Sequence, residues 1–315
     1  MSIPQAQSRL WSPAQIEARV VRYVDLRPCH NAFVDTRTPG SEAKENFTII
    51  GPGVSENPEQ YVHIAEPHGF NIGGARQPPG CVNSQHSHDT AEVFIVHSGH
   101  WRFDLGEHGG EAQVTAGPGD VISLPTKTFR GFTNIGRDDG FLFAILGEDD
   151  PGSVLWAPAV FDMASKYGLV LLESGQLIDT VAGQQVPADA RPMPVTSTIQ
   201  VSQMHRVSQV EAERLIWRTA NCGASRSTAI IGDGAPLRWP HGFAVERLDL
   251  EAGDERPLAI VSSPEVVFVH LGDLVIRWPG GEVALGSCDT ITIPPGADWV
   301  LTSGDGCVAY RVSRD

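Results

Sequence analysis

The chain has no apolar run approaching the roughly 20 residues of a membrane-spanning helix. Its first residues, MSIPQAQSRLWSP, lack the basic stretch and apolar core of a secretory leader, so a cytoplasmic protein is expected. Cysteine is scarce and odd in number. Cys29, Cys81, Cys222, Cys288 and Cys307 are widely scattered with no CxxC pair, which argues against a disulfide framework or a cysteine zinc site. Positive charge is also short, with 23 Lys and Arg against 38 Asp and Glu and a formal net charge of -15. That balance disfavours nucleic acid and anionic membranes as partners and leaves a small molecule or another protein. No GxSxG elbow is present, and no GxGxxG run opens a helix after a strand, so neither an activated serine nor a dinucleotide site is supported.

Turn-forming residues, in contrast, are plentiful. The 315 residues include 33 Gly and 23 Pro, which favours short strands over helices, and the length admits one large core or two smaller ones. An internal repeat decides for two. Pro67-His68-Gly69-Phe70 recurs 173 residues later as Pro240-His241-Gly242-Phe243. At the same shift Gly80, Glu92, Val93, Val96, His97 and Gly99 meet Gly253, Glu265, Val266, Val269, His270 and Gly272. Further on, Gly119-Asp120-Val121-Ile122-Ser123-Leu124-Pro125 resembles Cys288-Asp289-Thr290-Ile291-Thr292-Ile293-Pro294 at a shift of 169, so the second copy has a hairpin four residues shorter.

Within the first copy the predicted strands are Phe70 to Ala75, Val93 to Val96, Trp101 to Leu105, Val121 to Leu124 and Phe141 to Leu146, separated by Gly-, Pro- and Asp-rich breaks. Strands of this length and spacing point to an all-β sandwich or barrel. Helices are confined to the flanks. Ser12 and Gln15, with Pro13 at the first helical position, form a capping-box start that Ser208 and Glu211 repeat, so a short helix precedes each barrel. Pro158 to Tyr167, closed by Gly168, is a third helix. The expected organisation is an N-terminal arm over 1–64, a first barrel over 65–150, a connecting segment with helices and strands over 151–225, and a second barrel over 226–315.

The chemistry concentrates in Gly80-x5-His86-x-His88-x3-Glu92-x6-Gly99. Residues two apart on a strand share a face, so His86 and His88 project together while Ser87 points away. Glu92, Phe94 and Val96 keep that parity if the strand resumes after Asp89-Thr90. Two imidazoles and a carboxylate with open positions suit a borderline divalent metal, Fe(II) first.

This run fits position for position the first signature of the cupin superfamily. Gly119-x5-Pro125 followed by Asn134 resembles the second signature, but Lys127 stands where a glycine is expected and Arg130 where the fourth ligand, a histidine, is expected. The resemblance covers residues 65 to 147 and 238 to 313. It implies tandem cupin barrels (double-stranded β-helices, jelly-roll-like) and, often, metal-dependent oxygenases, decarboxylases or isomerases of small acids, phenols or sugars. Fold follows from such a resemblance more firmly than function.

Arg130 decides between two readings. A guanidinium stays protonated and cannot bind a cation. Either His86, His88 and Glu92 hold the metal as a triad while Arg130 grips a substrate anion as a catalytic group, or Arg130 pairs with Glu92 in a metal-free barrel. In the second copy Ala259, Val261 and Trp299 match His86, His88 and Arg130, with Glu265 alone retained, so that barrel is expected to be structural. The expected function is an Fe(II) dioxygenase of a small anionic, aromatic or dicarbonyl substrate. The alternatives are a redox-neutral isomerase, hydrolase or decarboxylase using Zn(II), Mn(II) or Ni(II), and a non-catalytic protein binding a small acid or sugar. A homodimer is expected. His97 and His270 have outward parity, His68 and His241 recur in both copies and read as structural, and His100 and His108 read as solvated. Phe94, Phe129 and Phe132 are candidates for core or pocket wall.

Overall fold

The structure, a computed structural model, describes residues 10–223, 225–258 and 262–315. Two compact units divide the described residues: one lies within 27–221 with 239–241, the other within 10–26, 222–238 and 242–315. Each unit is a barrel of two facing sheets.

In the first barrel the larger sheet runs, in spatial order, through 216–217, 121–124, 92–98, 140–147, 70–77, 45–50 and 62–64. The smaller runs through 155–156, 82–87, 130–134, 101–105 and 112–116. Neighbours are antiparallel except 45–50 with 62–64. All five strands expected in the first copy are present, two of them, Trp101–Leu105 and Val121–Leu124, with the expected bounds. Alternating apolar positions explain why they pair face to face. Phe94, Val96, Trp101, Phe103, Leu105, Ile122, Phe132 and Leu142 share one buried cluster, and each large apolar side chain removed from water contributes about 1.5–3 kcal/mol. Phe132 sits at 5.2 to 5.8 Å from the rings of Phe94, Trp101 and Phe103.

The second barrel repeats this topology. Its larger sheet orders 20–21, 290–293, 265–272, 307–314, 243–250 and 227–231, and its smaller one 255–258, 299–302, 274–278 and 281–285. The shortened hairpin is visible directly: Trp278 and Gly281 close a two-residue turn where the first copy spends residues 106–111. Trp299, the counterpart of Arg130, is 1% exposed and packs on Trp278 with ring centroids 5.6 Å apart, so it belongs to the core. Ala259 and Val261, the counterparts of the two histidines, lie outside the described residues.

Two short helices begin at the expected capping boxes, Pro13–Glu17 after Ser12 and Gln209–Ala212 after Ser208, but each arm is seated on the other copy's barrel. Val20–Val21, following the first helix, pairs with Thr290 and Ile291. Ile216–Trp217, following the other, pairs with Val121 and Ile122. The segment expected as one arm over 1–64 is therefore divided. Residues 10–26 join the second barrel, and from Arg27 onward the segment builds strands Glu45–Ile50 and Val62–Ile64 into the first. The physical reason is the open edge of each large sheet, whose unpaired backbone groups these arms satisfy.

The glycine that ends the first motif has a steric reason. Gly99 has φ +83°, and a Cβ there would stand 2.7 Å from Gly140 Cα. Lys127, standing where the second signature has glycine, takes the same left-handed region at φ 54°. Among the described residues no helix is long and apolar enough to cross a membrane.

Candidate metal centre

Strand Val82–Ser87 carries His86, with His88 just beyond its end, and Glu92 opens the strand Glu92–Ser98 of the facing sheet. In register, His86 lies opposite Arg130 on one side and Trp156 on the other. The expected parity holds, since His86, His88, Glu92 and Phe94 line one cavity and Ser87 does not. One ligand atom from each of His86, His88 and Glu92 lies within 4.8 Å of the others, and all three residues are buried. No other His, Cys, Asp or Glu cluster of this kind occurs among the described residues.

The imidazoles are set up to offer lone pairs. His86 Nδ1 lies 2.7 Å from the Ser84 carbonyl; as N–H donor it leaves Nε2 bare, the arrangement that orients metal-binding histidines. His88 Nδ1 is buried with no hydrogen-bond partner, and its Nε2 is 3.5 Å from Glu92 Oε1. Burial, and next the positive charge of Arg130, hold the pKa of both histidines below the usual value, so both are neutral near pH 7. Burial alone would push Glu92 up, but Arg130 and His88 outweigh it and keep this carboxyl below its ordinary range. Neutral imidazoles and an ionised carboxylate are the protonation states a divalent cation requires. The donor set fits a metal.

Arg130 is fully buried, paired with Glu92, and not among the cavity-lining residues. Its Nε and Nη2 both donate to Glu92 Oε2, at 3.1 and 2.7 Å, and Nη1 donates to the Thr128 carbonyl at 3.2 Å. Oε1 of Glu92 is left toward His88. The pairing expected in the metal-free reading is therefore present, while the three ligand groups remain convergent.

The cavity, about 80 Å³, adds walls that motif reading does not reach. Phe33, Trp156, Phe94 and Phe132 supply apolar surface, and Asn46, Thr48, Gln60 and Asn83 supply neutral polar groups. Phe129 is not on this wall; it is buried in a cluster with Trp156 and Val160. Trp156 leans on the His86 ring at 5.4 Å and donates from Nε1 to Glu56 Oε1 at 2.6 Å. Glu56 also accepts from Val34 N, while burial pushes its carboxyl up to about 8. Asp35 and Lys44, each fully buried, pair with one another; Lys44 also donates to Asn83, and Asp35 accepts from Ser84 N. The segment 33–60 is thus fastened to the strand that carries His86.

The remaining histidines lie elsewhere. His100 and His108 are exposed, as expected. His68 and His241 are buried, with His68 Nδ1 against the Glu66 carbonyl and His241 Nε2 against Ser123 Oγ. His97 packs edge-on against Phe141, and His270, 2% exposed, against Tyr310.

Residues 75–146 match the family model of the cupin domain. No curated protein matches the sequence. Among solved structures, the oxalate decarboxylase of Lactobacillus farciminis in its formate complex is similar over 94% of this chain and 86% of its own, at 10% identity and TM-score 0.59. A structure of Bacillus subtilis oxalate decarboxylase concerned with its Mn(II) centres is similar over 99% and 80%, at 11% identity and TM-score 0.58. At such identities the likeness carries the two-barrel fold and no more.

Proposed function

Given a chain of two-barrel cupin fold whose first barrel carries a cupin domain, we propose that this barrel is a metal-dependent catalytic centre for a small organic acid, with Fe(II) and dioxygen as the first reading. The observation that supports it is the buried convergence of His86, His88 and Glu92 in protonation states ready for a divalent ion. A metal held there supplies a Lewis acid with open positions and, when it is iron, a centre for dioxygen chemistry.

The chain's own groups do the rest. Ser84 holds the His86 ring in one tautomer through Nδ1–H. Arg130 fixes Glu92 through Oε2 and leaves Oε1 facing His88, so it acts as a positioning residue and does not itself line the cavity. Phe94, Phe132 and Trp156 exclude water, which strengthens charge interactions inside the cavity. No Lys or Arg is among the cavity-lining residues, so an acid substrate needs the cation of the metal for its charge.

A second reading is redox-neutral decarboxylation. Oxalate decarboxylases, one of them studied for its Mn(II) centres, share the fold and supply this alternative for test. Anaerobic loading with Fe(II) or Mn(II), followed by a panel of small chelating acids with and without O2, separates the two. Turnover that consumes O2 supports the first reading and O2-independent release of CO2 the second. No metal uptake and no turnover would sink both.

A further inference from the structure

The cavity wall contributed by residues 45–60 holds two polar atoms that nothing in the protein satisfies. Asn46 Nδ2 and Gln60 Oε1 are both buried without a hydrogen-bond partner, and both residues line the cavity of the first barrel. Asn46 as a whole is 7% exposed. Most buried polar atoms in native proteins are paired, so two orphans on one cavity wall call for a partner inside the cavity.

Their placement is built. Asn46 and Thr48 stand two apart on strand Glu45–Ile50 and so share a face, about 7 Å apart along it. Gln60 Nε2 donates to Thr48 Oγ1, which holds the Gln60 amide against that face and leaves Oε1 unused. Phe33 lines the same cavity and adds apolar surface. The wall therefore presents one donor and one acceptor in a greasy frame.

We propose that Asn46 and Gln60 form a substrate subsite that selects an uncharged hydrogen-bonding substituent, a hydroxyl first of all, at the part of the substrate remote from its acid group. The inference rests on the reading of the cavity as the substrate site and adds the substrate class: a hydroxylated small acid. A hydroxyl is both an acceptor, as Asn46 Nδ2 requires, and a donor, as Gln60 Oε1 requires, so one type of group serves either orphan. A charged substituent finds no counter-ion there, because side-chain amides are neutral and no Lys or Arg is among the lining residues. A methyl in its place leaves both atoms unpaired, and sites built to bond a hydroxyl discriminate against analogues that lack it.

The test uses matched probes with the full chain: 4-hydroxybenzoate against 4-methylbenzoate, and 4-hydroxybutanoate against pentanoate. Dissociation constants are measured by titration calorimetry for the parent protein and for Asn46→Leu, Gln60→Met and His86→Ala, each checked for a cooperative thermal transition. The parent is expected to prefer the hydroxylated member of at least one pair by about tenfold or more. Asn46→Leu and Gln60→Met are expected to abolish that preference while keeping affinity for the methyl partner. His86→Ala, with its metal content measured alongside, is expected to weaken both members and keep their ratio. A parent without metal that still shows the preference would sink the metal reading and leave the subsite standing. Equal binding within both pairs, binding of no probe, or a preference that survives both wall substitutions overturns the proposal and leaves the two amides as holders of water.

Discussion

Arg130 spends two of its donors, Nε and Nη2, on a single oxygen of Glu92, and so leaves the other oxygen 3.5 Å from His88 Nε2. One arginine thereby splits a carboxylate between an oxygen held in an ion pair and an oxygen turned to His88. Its charge has two opposed effects: it keeps Glu92 ionised, and it repels any cation brought to the same cluster.

Removing that charge by Arg130→Ala is expected to leave Glu92 buried and uncompensated, at a cost of about 3–5 kcal/mol in metal-free protein. Divalent metal should return much of the loss, because it replaces the missing positive charge. Thermal unfolding with and without Zn(II) checks both parts. An alanine variant as stable as the parent without metal would show that the pair carries no weight.

Arg130→His restores the residue type that the cupin signature places at this position and removes the repulsion. The expected outcome is a rise in apparent metal affinity of about tenfold or more, read by competition with a chromophoric chelator. His86→Ala should go the other way and abolish binding, with at most one metal per chain in the parent, because the described residues contain one such cluster.

How much of this was legible in the chain can be seen from particular residues. His86, His88 and Glu92 were readable because strand parity is local and the motif spacing fixes it. The duplication was readable because it is written as repeated residues. The seating of the arms was not, because Val20 meeting Ile291 and Ile216 meeting Ile122 is a choice of distant edge that capping boxes do not encode. Asn46, Gln60 and Trp156 were also invisible, since they reach the cavity through tertiary pairing and carry no spacing signal of their own. The sequence left open whether Arg130 meets substrate or Glu92, and distances between side chains address that question where motif positions do not.

The fully buried pair of Asp35 and Lys44 gives a prediction away from the ligands. Lys44→Met strands Asp35, which also holds Ser84 N on the strand that carries His86, and should cost about 3–5 kcal/mol. A double-mutant cycle with Asp35→Asn should recover part of this as coupling energy. Additive losses would mean that the two groups act independently.

Glu56 predicts a pH response. Its folded carboxyl is raised to about 8, first by burial, against the two N–H donors that pull it down. A raised carboxyl pKa means that the folded state holds a proton the unfolded chain releases above about 4.5, the ordinary value for this group. Its contribution to stability is therefore complete below that point and is lost as pH rises through about 8. The thermal midpoint should fall across this window in the parent and fall less in Glu56→Gln, which cannot titrate. Parallel curves for the two proteins would remove Glu56 as the cause.

The crossed seating of the arms makes the chain hard to dissect. Cut just ahead of Ser208, it yields two fragments, each holding the edge strand that closes the other's barrel. Either fragment alone keeps most of a core but loses one strip of backbone pairing, beside Ile122 in one case and Ile291 in the other. Such halves are matched parts for reassembly when produced together, and poor stand-ins for the intact protein when studied singly.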